Sequence, residues 1–410
     1  MSYKKILPVV LMLLILATLN ACTPAPNDQP ATLIPEQTLI PENVATIEPT
    51  NTPSSLERYY VPAYYSQFYE QVVEDSKSEK GLLIYSIMGS ENWEPVIRAF
   101  KEHYPWINVI TLDLDANEVF ERYYQEIETS APTADLIVSS DIRGWQTFIE
   151  QGQILSYRSQ EDSYLPSWAK AGIGIYALSS DPMVIIYNKR LVLSIPETMQ
   201  EVSILASAFP GDYEARITTY DAELNATGLA ANWFWIKNKG TDGWNILDRI
   251  GKTSPILKTS GGQMVQAVGT GESSLGYFVS AITVLPRLQE YPDLGWSYIK
   301  DGQPIFVRNM AITQANSSPN SAKLMIDFLL SQEGQLALAL GGLTPYRADI
   351  ARVSSLHLDK ISQQVGQENL IFFSLDPELR DLQRLETFLE RWKITMNKQD
   401  IPEEEATASP

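Results

Sequence analysis

From Gly81 onward the apolar and polar positions follow a repeating order. Leu82-Leu83-Ile84-Tyr85-Ser86 is an apolar run of strand length, closed by a turn at Gly89-Ser90. Trp93, Ile97, Phe100 and Tyr104 then recur every three or four residues, which predicts a helix capped by Ser90 or Asn92, with Pro95 in or close to its first turn. A second strand is predicted over 107–114, a helix over about 117–128, a third strand over 134–140, and a helix from near Asp141. Strand and helix in alternation predict right-handed crossovers and a mostly parallel sheet covered on both faces. In such a sheet the ligand crevice lies outside the carboxyl ends of the strands, here the turns at 86–90 and 139–141. Ser86, Gly89, Ser90, Ser140 and Asp141 bring hydroxyls and backbone N–H groups to helix starts, which suits an oxygen-rich or anionic ligand. The same residue types cap helices, so the pattern by itself leaves both readings open.

The pattern continues with two neighbouring strands at 174–177 and 181–190, and a different unit beginning at Ile195-Pro196-Glu197-Thr198. Within that unit a strand at 215–221 leads through Asn225-Ala226-Thr227-Gly228 into an apolar helix at 229–236. Helices at 244–250 and 262–268 precede Gly269-Thr270-Gly271-Glu272 and a strand at 274–278. A strand at 305–312 and a helix at 321–330, continued by 331–335, complete the periodic part.

The amino-terminal end has a different character. Lys4 and Lys5 precede an apolar run, Ile6 to Leu16, of secretory-signal length and too short to span a bilayer. It ends in Leu19-Asn20-Ala21-Cys22, which resembles the bacterial lipoprotein signal, whose Cys is lipidated and becomes the first mature residue. Pro24, Pro26, Pro30, Pro35, Pro41, Pro49 and Pro53 follow among Thr, Asn, Gln and Glu without apolar periodicity, the composition of an extended spacer. The aromatic pairs Tyr59-Tyr60 and Tyr64-Tyr65 and the polar run after them leave 54–80 open between a packed helix and more linker.

Composition narrows the chemistry. The chain of 410 residues carries 31 Lys+Arg against 50 Asp+Glu, a formal charge of -19, which disfavours nucleic acid because that affinity rests on neutralising phosphates. One Cys and two His remove disulfide scaffolds and zinc clusters from consideration. Neither a Gly-x-Ser-x-Gly elbow nor a His-Glu-x-x-His pair occurs, and His103 reads as an exposed helix-end residue.

Several segments together resemble the extracytoplasmic solute-binding proteins of ABC importers, in the branch that includes ferric-iron, phosphonate and thiamine binders. The carriers are Ile84-Tyr85-Ser86 with Gly89-Ser90, Ala134-Asp135-Leu136-Ile137, Ile186-Tyr187-Asn188, Ile195-Pro196-Glu197-Thr198, the 269–276 segment, and the 322–335 helix followed by Thr344-Pro345-Tyr346-Arg347. The resemblance implies an α/β, two-lobed periplasmic-binding-protein-like (type 2) fold with hinge crossover strands. It divides the chain into a signal peptide (1–21), a lipid-anchored tether (22–80), lobe 1 (81–183), lobe 2 (184–305), a return to lobe 1 with C-terminal helices (306–398) and a disordered tail (399–410). It implies a monomeric, non-enzymatic lipoprotein, extracytoplasmic and lipid-anchored to the cell membrane. Such a protein has no resident cofactor and hands its ligand to an ABC permease and its ATPase. In the ferric branch two adjacent tyrosines of lobe 2 hold the metal, and the matching position reads Tyr277-Phe278, with Tyr123-Tyr124 a second pair on a lobe 1 helix. In the anion binders helix-start hydroxyls and N–H groups do so, matched by Ser86, Ser90, Ser140, Asn225, Thr227 and Gly228. A small anion is therefore expected ahead of ferric iron. The alternatives are a sugar held by Trp93, Trp145 and Trp233, or an anchored hydrolase using a carboxylate pair.

Overall fold

The computed structural model describes residues 61–398. The signal, Cys22, the spacer through residue 60 and the 399–410 tail lie outside the described residues. The strands are β1 (Leu82–Ser86), β2 (Val109–Asp113), β3 (Leu136–Ser139), β4 (Lys170–Gly172), β5 (Ile175–Asn188), β6 (Ile217–Tyr220), β7 (Ile256–Lys258), β8 (Leu275–Ser280), β9 (Leu294–Ser297), β10 (Gln303–Ile312) and β11 (Leu370–Phe372). Their order is β2-β1-β3-β10-β5-β8-β6-β7, with β4 and β9 on β5 and β11 on β10. The helices are α1 (Tyr69–Ser76), α2 (Ser90–His103), α3 (Glu118–Glu128), α4 (Ile142–Glu150), α5 (Met199–Ala208), α6 (Pro210–Tyr213), α7 (Ala226–Lys239), α8 (Thr241–Gly251), α9 (Gly261–Thr270), α10 (Ala281–Val284), α11 (Pro319–Leu330), α12 (Gln332–Leu340), α13 (Leu358–Val365) and α14 (Leu382–Thr395).

Two strands shared by both halves make the molecule two-lobed. In lobe 1, β1 pairs in parallel with β2 and β3, and β10 closes the sheet antiparallel to β3. In lobe 2, β6 pairs in parallel with β7 and β8. β5 pairs with β10 through Pro182 and with β8 and β9 from Met183 onward, so one continuous strand passes from one sheet to the other. The expected mostly parallel sheet is thus two parallel triplets joined by antiparallel crossovers.

The two strands expected at 174–177 and 181–190 are a single strand, buried at every position. Ser179 and Ser180 mimic a break in the apolar pattern, but both are bonded inside: Ser179 Oγ donates to Asp181 and the Ser180 N–H donates to the Thr344 carbonyl at 3.0 Å. The helix expected to run on through 331–335 instead stops at Ser331, whose hydroxyl accepts from the Gly334 N–H and caps α12. Pro95 lies in the second turn of α2, where it forgoes one ladder bond while being buried.

The open question at 54–80 is answered for its described part. Tyr64 and Tyr65 both donate to Glu161, which lies against Arg347, and α1 packs on α11 through Tyr69 and Val73, so the expected spacer does not extend to residue 80. A second difference concerns the end of the chain. Phe373, Leu379, Leu385, Phe388, Trp392 and Met396 join the core of lobe 2 and not that of lobe 1. The closeness of this seating is visible at Gly251, where a Cβ would lie 1.7 Å from the Thr395 carbonyl oxygen.

Candidate functional site

The carboxyl ends of β3 in lobe 1 and β6 in lobe 2 face each other across a cavity of about 380 Å³. Asn117, Asp141 and Arg143 line it from lobe 1, and Glu223 and Asn225 from lobe 2. Two of the turns singled out from sequence therefore meet, one from each lobe.

Within those turns most of the polar groups are already engaged. Ser86 is fully buried, accepting from Trp93 Nε1 at 2.9 Å and donating to the Met88 carbonyl. Trp93 is thereby a core residue and not a cleft-lining ring. The Gly89 N–H donates to Asn92 Oδ1, and Ser90 is an exposed first residue of α2. Asp141 accepts from the Arg143 N–H at 3.0 Å as the cap of α4, and burial raises its carboxyl above the usual range. Asn225 accepts from the Gly228 N–H at 2.8 Å and donates to the Thr259 carbonyl at 2.8 Å, so both ends of its amide are used. Gly228 is there for space, since a Cβ would stand 2.5 Å from the Tyr220 Cβ. Thr227 is half-buried and is not among the residues lining the cavity.

Tyr277 requires a correction. It is 0% exposed, together with Phe278, in the core of lobe 2, where its hydroxyl meets Met396 Sδ at 3.5 Å. The β5–β8 register shifts between Val184 and Ile186, and Phe278 takes φ 59°. Such a bulge re-aims the side chains around it, and here both aromatic rings lie in the core. The phenol is therefore withheld from the cleft, and no cluster of three His, Cys, Asp or Glu side chains able to hold a metal occurs among the described residues. Tyr123 is buried among Phe148 and its neighbours, donating to Gln153, and Trp145 donates to the Ser139 carbonyl, so these are core residues as well. Trp233 donates to Asp376 at 2.9 Å.

Three of the buried polar groups without a partner lie on or beside the crossover strands. Asp181 on β5 and Arg308 on β10 form a buried ion pair on one face of the ladder, where Asp181 is opposite Phe306 and Arg308 opposite Ser179. The Asp181 carboxylate accepts three hydrogen bonds, from Arg308, from Ser179 Oγ at 2.6 Å and from the Thr344 N–H at 2.8 Å. Arg308 is less completely bonded: it is 4% exposed and its Nε has no partner. Burial lowers the Arg308 pKa against the pull of Asp181, and burial pushes the neighbouring Tyr220 phenol up to about 12 against the pull of Arg308. Asn309 pairs with Ser139, the residue before Ser140. The hydroxyls of Ser140 and of Ser280, at the end of β8, are buried without a partner. Sequence reading missed Asp181, Arg308 and Ser280. The available signal was a single charged residue inside each of two largely apolar strands, which needs a partner or a ligand when buried.

A two-lobed α/β clamp with crossover strands and buried, unsatisfied polar groups at its waist is a solute-binding protein. The sequence matches the family described as bacterial extracellular solute-binding protein over residues 89–336, and the chain belongs to that family. It is accordingly an extracytoplasmic solute-binding protein and not an enzyme. Among solved structures, it is similar to a substrate-binding protein of an ABC transporter from Agrobacterium tumefaciens, with 21% identity and a TM-score of 0.70 over 79% of this chain and 96% of that one. It is also similar to the periplasmic binding protein AfuA from Actinobacillus pleuropneumoniae with fructose-6-phosphate bound (18% identity, TM-score 0.63, 78% of this chain and 99% of that one). Iron-bound HitA from Pseudomonas aeruginosa is a further likeness (16% identity, TM-score 0.53, 63% of this chain and 83% of that one). No protein of curated function matches the sequence. Among the described residues no helix is long and apolar enough to cross a membrane.

Proposed function

We propose that the protein captures a small anion between lobe 1 (81–183 with the return from 306) and lobe 2 (184–305), with Arg308 as the counter-charge. The observation that carries this is the buried Arg308, whose carboxylate partner accepts three hydrogen bonds while its own Nε has none. A guanidinium in that state is a donor for a carboxylate or phosphate oxygen, and its low-dielectric surroundings strengthen the bond. Ser140 from lobe 1 and Ser280 from lobe 2 supply two more hydroxyl donors, and Asp141 and Asn225 shape the rim. An anion bridging both lobes stabilises the closed arrangement by its differential affinity, which is the state a permease and its ATPase read. Ferric iron ranks second, because Tyr277 lies in the core. On this reading Cys22 carries the lipid that holds a monomeric receptor at the membrane.

The test is a tryptophan-fluorescence titration with inorganic phosphate, fructose 6-phosphate (the ligand held by AfuA), ferric citrate and neutral sugars. The paired variant Asp181→Asn/Arg308→Met removes both charges together, so no uncompensated ion stays buried. An anion that binds the parent should bind this variant at least ten- to a hundredfold more weakly, the factor carried by one hydrogen bond of ~1.5–3 kcal/mol to a charged group. Saturating sugar binding left unchanged in the variant would instead favour a neutral ligand and sink the anion reading. Small-angle scattering with the binding anion should show a smaller radius of gyration, and an unchanged profile would argue against closure.

A further inference from the structure

The crossover strands are not the sole passage between the lobes. After β11 leaves the β10 ladder, the chain runs from Leu375 to Arg380 along one edge of the cleft cavity, which Leu379 lines. It touches both sides. The Asp376 carboxylate accepts from Trp233 Nε1 at 2.9 Å and from Lys237 Nζ at 2.8 Å, both on α7 of lobe 2. The Asp376 carbonyl accepts from Gln146 Nε2 at 2.5 Å, on α4 of lobe 1. Arg380 pairs with Glu150, also on α4, and Leu375 packs against the cores of both lobes.

We propose that this segment is a latch that travels with lobe 2 and releases α4 when the cleft opens, so that Gln146 and Asp376 set the cost of opening and through it the affinity for ligand. The inference rests on the clamp reading of the two lobes. Its asymmetry follows from the bonds. On the lobe 2 side a charge-assisted pair of donors holds one carboxylate, and the chain runs straight on into α14, which is seated in that lobe's core. On the lobe 1 side the polar contacts are one neutral amide donor and one exposed ion pair beside the apolar contact of Leu375, and Gln146 Oε1 is buried with no partner. The weaker side gives way first. Because apparent affinity scales with the populated fraction of the binding-competent state, a contact that biases opening tunes capture without touching the ligand.

The experiment uses the full chain without ligand and compares the parent with Gln146→Met, which keeps the side-chain length and removes the donor, and with the surface change Glu150→Gln, which cannot unfold the protein. Two quantities are read, the radius of gyration from solution scattering and amide hydrogen exchange along 374–395. Both variants should enlarge the radius of gyration. Gln146→Met should speed exchange at the Glu378 amide, bonded to Asp376 at 3.1 Å, by about tenfold while the amides of α14 keep the parent rate. Unchanged scattering and exchange in both variants would overturn the latch, and so would faster exchange spreading into α14, which would make the segment ordinary lobe 2 packing. No ligand enters the measurement, so a wrong anion assignment leaves this result readable.

Discussion

At the start of α7, Asn225 gives its amide oxygen to the Gly228 N–H and its amide nitrogen to the Thr259 carbonyl. At the waist, Arg308 gives one nitrogen to Asp181 and leaves Nε without a partner, while Ser140 and Ser280, at the turns into α4 and α10, also leave their hydroxyls unpaired. The cap at Asn225 and the crossover at Arg308 thus hold polar groups in opposite states. A helix start presents N–H groups whatever the protein does, so a capping side chain there completes the fold and has little left for a ligand. A strand interior has no such demand, and a polar group left unsatisfied there costs roughly 1–3 kcal/mol, a cost a ligand can offset. Recognition in this molecule is read from what the fold leaves unpaired.

The sharpest way to break that contrast is to remove Arg308 alone. Arg308→Met leaves the Asp181 carboxylate buried without its counter-charge, and breaking a buried pair from one side costs about 3–5 kcal/mol. Urea unfolding should show this loss, and the paired Asp181→Asn/Arg308→Met variant should recover most of it while still failing to bind the anion. A single variant as stable as the parent would mean that the pair is solvated and the waist is not a dry site.

A buried carboxylate of the other kind offers the next effect. Asp327 accepts from Ser159 Oγ at 2.6 Å, the Gln160 N–H at 3.0 Å and Tyr157 Oη at 2.5 Å, with no cation bonded to it. Burial pushes its pKa up to about 6, against the downward pull of the Ser159 and Tyr157 hydrogen bonds. Folding thus favours the protonated form. Its contribution to stability is fully present below the unfolded value of 3.8 and is lost as pH rises through about 6. The loss amounts to about 3 kcal/mol between these limits, so Asp327→Asn should remove that much of the parent's pH dependence. Asparagine keeps the oxygen facing Ser159 and Gln160, and the Tyr157 hydroxyl can turn to accept. Equal slopes of unfolding free energy against pH in parent and variant would show that Asp327 does not titrate there.

The alternation of β1, α2, β2, α3, β3 and α4 was legible because each element has one apolar period and a polar stop. The crossover was less so. β5 is buried along its whole length, and Ser179-Ser180 in its middle has the composition of a turn, since side-chain bonding to a neighbouring carboxylate leaves no trace in periodicity. The seating of α14 on lobe 2 was also invisible, because Phe388 and Trp392 declare a buried face without naming the partner that covers it. For the site, the sequence pointed to the turns that form the rim. It misassigned Tyr277, because a bulge at a residue with φ 59° changes the facing of its neighbours and nothing in Tyr277-Phe278 announces it.

A smaller effect belongs to the rim. Asn225→Ala removes a helix cap, at a cost of about 1 kcal/mol of stability, with the Thr259 carbonyl left to water. Thermal unfolding should register it, whereas affinity for the anion should move by less than threefold. A stable variant that binds tenfold more weakly would return Asn225 to the ligand.

The smallest effect is expected at Thr227, and it discriminates most finely between rim and waist. Its neighbours have clear duties: Ala226 lines the cavity and Gly228 allows α7 to approach Tyr220. Thr227 is half-buried and outside the lining. A threonine at the first turn of a helix is replaced by alanine at little energetic change, because alanine is the better helix former. Thr227→Ala should therefore leave unfolding free energy within about 0.5 kcal/mol and anion affinity within threefold. If the hydroxyl instead contributes a hydrogen bond to a charged ligand, affinity falls ten- to a hundredfold at unchanged stability. Titrating the same anion into parent, Thr227→Ala and the paired waist variant places the site on one side or the other: loss only at the waist keeps recognition on the crossover strands, and an equal loss at Thr227 moves it onto the helix-start turns.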